Sequence, residues 1–157
     1  MSLEIERKFL VTNSDYKKLS FQNKYIKQGF LNSDKNRVVR VRIVEDNAFL
    51  TIKGVSSQDG TTRFEWEKEI PVQEAHDLMK LCEEGIIEKH RYYHKVGDHI
   101  FEIDEFLGDN LDLVIAEVEL QHKDEFFLTP SYLGEEVTGD EKYYNSTLSK
   151  NPFKNWA

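Results

Sequence analysis

Along most of this chain apolar and charged residues alternate one by one, which is the period of a strand with one buried face. The alternation predicts eight strands, over 3–11, 22–32, 37–45, 48–55, 63–70, 86–96, 99–107 and 113–122. Asp46-Asn47 and Gly97-Asp98 supply hairpin turns, Gly108-Asp109-Asn110 precedes the last strand, and 54–62 reads as a polar, flexible loop. Helical spacing occurs twice. Ala75, Leu78, Met79 and Cys82 recur across 73–84 with Gly85 as a stop, and 13–19 is a shorter helix capped by Asn13 or Ser14. Beyond residue 124 the tail is broken into short pieces by Pro130, Gly134 and Gly139. This pattern implies an α+β, mainly β fold: an eight-stranded antiparallel closed β-barrel, or a strongly curved sheet, with helices packed outside and one domain over 1–157.

The charges on these strands come in pairs that share a face. Glu4, Glu6 and Lys8 oppose Leu3, Ile5 and Phe9. Arg40 and Arg42 oppose Val39, Val41 and Ile43, and Lys53 opposes Leu50 and Ile52. Glu65 and Glu67, Lys89 and Arg91, Glu102 and Asp104, and Glu117 and Glu119 repeat the arrangement. A solvated outer face is the ordinary meaning of such alternation. Here, however, the signs segregate by strand: acidic in the first, fifth, seventh and eighth, basic in the third, fourth and sixth. If these faces line a barrel interior, like charges about 4 Å apart repel by roughly 1 to 4 kcal/mol. The cations then need an anion among them, and the carboxylates need a cation. A polyphosphate with a divalent metal satisfies both sets: Arg grips phosphate oxygens in a fork, Lys acts as a point charge, and carboxylates are hard ligands suited to Mg²⁺ or Mn²⁺.

Composition narrows the setting. The chain has 157 residues, 39% hydrophobic and 32% charged, with a net charge of -8. That charge repels nucleic acid and anionic membranes at long range, so no nucleic-acid or membrane partner is expected. The single cysteine, Cys82, allows no internal disulfide, the N-terminus is too charged for a signal peptide, and no apolar run matches a membrane span. A cytoplasmic location is the expectation, and nothing in the composition sets an oligomeric state.

With these residues in place the chain resembles the CYTH proteins, also called triphosphate tunnel metalloenzymes. The resemblance rests on Glu4-Ile5-Glu6-Arg7-Lys8-Phe9-Leu10-Val11, then Arg40-x-Arg42, Lys53, Glu65-x-Glu67, Lys89-x-Arg91, Asp104 and Glu117-x-Glu119. In the tail, Gly134-Glu135-Glu136-Val137-Thr138 with Asp140, Lys142, Tyr143 and Asn145 is similar to small bacterial members. It implies a tunnel open at both ends and Mg²⁺- or Mn²⁺-dependent work on a triphosphate-containing small molecule, with two metal ions. By position, it implies that Glu4, Glu6 and Glu119 hold one metal and Asp104 and Glu117 a second with its water. Lys8, Arg40, Arg42, Lys53, Lys89 and Arg91 grip the triphosphate, and Lys142 stands near the tunnel mouth. The role of Glu65 and Glu67 stays open, with bracing of the cations as one reading. One position departs from the family: Gln28-Gly29-Phe30-Leu31 carries phenylalanine where relatives often have tyrosine.

Other signals carry less. His90 and His94 lack a supporting cysteine and read as surface rather than zinc ligands. Cys82 on an apolar helix face reads as core rather than nucleophile. Lys53-Gly54 lacks the spacing of a phosphate-binding glycine loop. Trp66 and Phe64 read as packing outside the barrel. The expected activity is hydrolysis of the terminal phosphoanhydride of inorganic triphosphate. A nucleoside or thiamine triphosphatase or adenylate cyclase on the same scaffold, and a non-catalytic polyphosphate-binding module, are the alternatives.

Overall fold

The computed structural model describes residues 2–156. Its strands are β1 (Ser2–Val11), β2 (Gln22–Asn32), β3 (Arg37–Val44), β4 (Asn47–Ser56), β5 (Thr62–Ile70), β6 (Ile87–Val96), β7 (His99–Phe106), β8 (Val114–Glu119) and β9 (Leu133–Glu136). Antiparallel pairing runs β5-β4-β3-β2-β6-β7-β8-β1, and β1 closes the ring by pairing with β5. The eight expected strands therefore form a closed barrel, which leaves no free edge among them.

The ninth strand is absent from the alternation and has a structural cause. β5 covers only the first half of one β1 edge, from Ser2↔Glu65 to Ile5↔Thr62. The rest of that edge is satisfied by Thr61 O, which accepts from Glu6 N at 3.0 Å, by Val137 N, which donates to Lys8 O at 2.8 Å, and by β9 at Phe9↔Glu136 and Val11↔Leu133. A four-residue strand carries too little periodicity to be read from sequence.

Other boundaries shift for local reasons. The β3–β4 turn is Glu45-Asp46 rather than Asp46-Asn47, because Val44 pairs with Asn47 and Glu45 takes a φ of 51°. The expected 73–84 helix is α2, Val72–Met79. It stops early because Glu83 is bound to β2 and the residues after it: its N–H donates to Phe30 O, and its carboxylate accepts from Ser33 N and Oγ. The 13–19 helix is reduced to α1, Tyr16–Leu19, because Asn13 Oδ1 accepts from Asp15 N in a turn. A third short helix, α3 (Asn145–Leu148), lies in the tail.

The core divides into three clusters. Two lie on the outer barrel wall. One gathers Phe9, Phe101, Ile103, Ala116, Val118 and Leu120 under Tyr16 of α1 and Tyr132 of the tail; the other gathers Val41, Ile43 and Ala48 under Ala75 of α2. The third lies inside the barrel: Phe30, Val38, Ile87, Phe106 and Ile115 share the inner face and are closed over by Leu148 of α3 and Leu113. Each fully buried large side chain here contributes roughly 1.5–3 kcal/mol. These side chains form an apolar plug that fills part of the barrel interior beside the charged groups. Trp66 is 42% exposed on the outer wall and is not core. No helix among the described residues is long and apolar enough to cross a membrane.

Candidate active site

Barrel closure turns strand alternation into an inside and an outside. Directly opposed residues share a face, so the registers Glu6↔Glu119, Lys8↔Glu117, Glu102↔Glu117, Arg91↔Asp104, Arg40↔Thr51, Thr51↔Glu67 and Lys53↔Glu65 place all of these side chains inside. They surround a cavity of about 280 Å³ lined by Glu4, Glu6, Lys8, Arg40, Arg42, Lys53, Glu65, Glu67, Lys89, Arg91, Glu117 and Glu119 among others. The structure brings together every sequence-derived site residue except two.

Lys142 is the first exception. It is exposed, and its ammonium sits 4.0 Å from the centre of the Trp156 ring, away from the cavity lining. The 3₁₀ turn at Glu141–Tyr143 points it outward, while the next residues, Tyr144 to Ser146, turn in. Asp104 is the second. It is 2% exposed and its carboxylate is occupied by Arg91, through hydrogen bonds of 2.7 and 2.9 Å, and by Lys89 at 2.7 Å. Burial alone would raise its pKa, but Arg91 and Lys89 outweigh that and hold it well below the usual carboxylate range. Its place is behind the cations rather than in the cavity.

The remaining ion pairs set the cations. Lys53 Nζ lies 2.9 Å from Glu4 and 3.7 Å from Glu65; Arg40 lies 3.6 Å from Glu67, which also accepts from Thr51 Oγ1 at 2.7 Å. Glu65 and Glu67 therefore brace cations. Burial, together with the hydrogen bond and charge of Glu4, pushes Glu65 up to about 7, and its Oε2 atom has no hydrogen-bond partner; the same is true of Arg40 Nε. Lys8 lies 3.5 Å from Glu117 and 5.3 Å from the centre of the Tyr144 ring, and its backbone N–H donates to Thr138 Oγ1 at 2.9 Å. Burial opposes its charge, but Glu117 and Glu6 raise its pKa above the usual value.

One wall remains charge-frustrated. Burial, then Glu117 and Glu4, hold Glu6 well above its ordinary value, and burial with Glu4 and Glu102 raises Glu119. On the opposite side burial, then Arg40 and Arg91, pull Arg42 down to about 9, and burial with Arg91 and Arg42 pulls Lys89 to about 7 against the pull of Asp104. Carboxylates thus crowd one side of the cavity and cations the other.

Further residues line the cavity without a site role assigned from sequence. Arg63 and Glu102 line the cavity and share the alternation of Glu65 and Asp104, so the signal was present. Tyr144 and Ser146 come from the aperiodic tail and left none, and Asn145 entered only through the tail's resemblance, with no role attached. The tail is seated where Gly60 of the β4–β5 loop meets Gly139: both have a φ of 79°, and a Cβ on Gly60 would lie 2.1 Å from Gly139 Cα. Of the residues set aside, His94 accepts from or donates to Tyr132 through Nδ1 at 2.7 Å beneath the tail, and Cys82 packs against the α2 cluster, its Sγ 3.6 Å from Leu78 O.

Comparison with known proteins agrees with this geometry. The chain is 47% identical over 157 residues to an inorganic triphosphatase of Acetivibrio thermocellus, covering 99% of each chain, and 35% identical over 150 residues to an inorganic triphosphatase of Nitrosomonas europaea, covering 93% of this chain and 96% of that one. It superposes on the crystal structure of an inorganic triphosphatase with a TM-score of 0.65 at 33% identity, over 95% of both chains. Residues 2–152 match the CYTH domain model, and the chain belongs to the CYTH family.

Proposed function

We propose that this protein hydrolyses the terminal phosphoanhydride of inorganic triphosphate, and that it requires Mg²⁺ or Mn²⁺. The observation that carries this is the two-sided cavity, with cations from β1, β3, β4 and β6 facing carboxylates from β1 and β8. The names of the two similar proteins support the substrate.

The residues suit a divalent cation. Glu4, Glu6, Glu117 and Glu119 offer hard oxygen ligands, and burial with the neighbouring carboxylates raises Glu6 and Glu119 even though Lys53 opposes the shift. Among the described residues no three His, Cys, Asp or Glu side chains converge on one point. A bound divalent ion there supplies positive charge against phosphate oxygens and lowers the pKa of a water.

The rest is the work of this chain's side chains. Arg40, Arg42 and Arg91 orient the phosphate oxygens, and Lys8, Lys53 and Lys89 offset the charge that collects on the leaving pyrophosphate as the terminal P–O bond breaks. Phe30 and Val38 of the apolar plug line one side of the cavity. The lone cysteine fits a reducing, cytoplasmic setting.

The test is phosphate release from inorganic triphosphate, pyrophosphate and ATP, with Mg²⁺, Mn²⁺ or EDTA. Metal-dependent release with triphosphate well ahead of ATP is expected. Full activity in EDTA, or equal turnover of pyrophosphate, overturns the reading.

A further inference from the structure

Most cavity cations are held by a carboxylate: Lys8 by Glu117, Lys53 by Glu4, Arg40 by Glu67, and both Lys89 and Arg91 by Asp104. Arg42 is held differently. Its Nε donates to Gln28 Oε1 at 2.9 Å, Gln28 Nε2 donates to Asn145 Oδ1 at 2.7 Å, and Lys89 Nζ donates to the same Asn145 oxygen at 2.9 Å. Guanidinium and ammonium groups only donate. Gln28 must therefore turn its oxygen to Arg42 and its amide nitrogen to Asn145, and Asn145 must offer its oxygen to both neighbours. Gln28 and Lys89 are fully buried, while Arg42 and Asn145 are half-buried at the cavity wall.

We propose that Asn145, acting through Gln28, is a positioning residue that fixes Arg42 without neutralising it, and so preserves the Arg42 charge for the triphosphate; its second link, to Lys89, adds no charge to the carboxylate that Asp104 already supplies there. An amide oxygen accepts a hydrogen bond but carries no net charge. A carboxylate at the same place would hold the cations equally well and cancel part of their field. Asn145 reaches this position because it opens α3, whose Leu148 is fully buried in the plug. The C-terminal segment thereby completes the grip on the anion.

This proposal rests on the triphosphatase reading, and two independent measurements keep them apart. The first uses ligand-free protein: Asn145→Asp should melt at or above the wild-type temperature and clearly above Asn145→Ala, because the new carboxylate compensates buried cations. The second is the Kd of inorganic triphosphate by calorimetry in EDTA, with KM and kcat in metal. Asn145→Asp should raise Kd and KM about tenfold, more than Asn145→Ala does, with a smaller change in kcat. Gln28→Glu should reproduce the effect and serves if the Asp variant misfolds. An Asn145→Asp variant with wild-type Kd, or one weakened no more than Asn145→Ala, overturns the relay. If wild type binds no triphosphate, the proposed function fails, and the ligand-free melting order still decides the relay: Ala at or above Asp overturns it.

Discussion

Arg91 grips Asp104 through two parallel hydrogen bonds of 2.7 and 2.9 Å, and Lys89 completes the shell of the same carboxylate at 2.7 Å. An acid bound this way cannot also serve a metal without releasing two buried cations. Asp104→Asn should therefore cost stability, about 3 kcal/mol by denaturant unfolding, since it leaves Arg91 and Lys89 adjacent and under-compensated. The Mn²⁺ concentration giving half-maximal activity should stay within about twofold of wild type. Normal stability with a lost metal response would return Asp104 to the metal site.

Glu6 presents the opposite case. Burial and its neighbours Glu117 and Glu4 raise its pKa above the ordinary 4.5, so the folded chain binds more protons than the unfolded one above that value. Its contribution to stability is present below pH 4.5 and is lost as pH rises through the folded pKa. Glu6→Gln should accordingly be more stable than wild type at pH 7 without metal, by about 1 kcal/mol, while turnover drops by about 100-fold or more. Thermal melts and phosphate release check both halves. Wild-type turnover in the variant would remove Glu6 from the metal set.

Lys89 carries a pH signature. Burial, helped by Arg91 and Arg42, lowers it from 10.5 to about 7, so the unfolded chain binds more protons between those values. Stability from this group is full above 10.5 and falls as pH drops toward 7. A bound polyanion reverses the shift. At pH 8 triphosphate binding should thus draw in a proton that Lys89→Met does not take up. Calorimetry in two buffers of different ionisation enthalpy measures the difference, and identical proton counts would show that Lys89 is already charged.

Phe30 is 3% exposed, lies directly opposite Arg40 on the inner face and lines the cavity at the edge of the plug. Phe30→Tyr should fold within about 1 kcal/mol of wild type, because the rings are nearly isosteric, and should alter the alkaline limb of the pH–rate curve through a phenol of pKa roughly 10. A lower melting temperature with an unchanged curve would confine Phe30 to packing.

The chain's own alternation determined which residues share a barrel face, because side chains on a strand alternate regardless of what packs on them. Glu4, Glu6 and Lys8, Arg40 and Arg42, and Glu117 and Glu119 could be grouped before any coordinates, and so could Arg63 and Glu102. Alternation cannot say what a charged side chain touches. Asp104 and Glu117 are indistinguishable by period, yet one is locked behind Arg91 and Lys89 while the other faces the cavity beside Lys8. The tertiary structure alone decided that, together with the outward Lys142, the inward Asn145, the apolar plug and β9. Lys142, Asn145, β9 and the Leu148 end of the plug depend on where an aperiodic tail docks against residues far away in the sequence, and a segment held by long-range packing leaves little periodic trace; Asp104 is decided by its β6 neighbours across one hairpin.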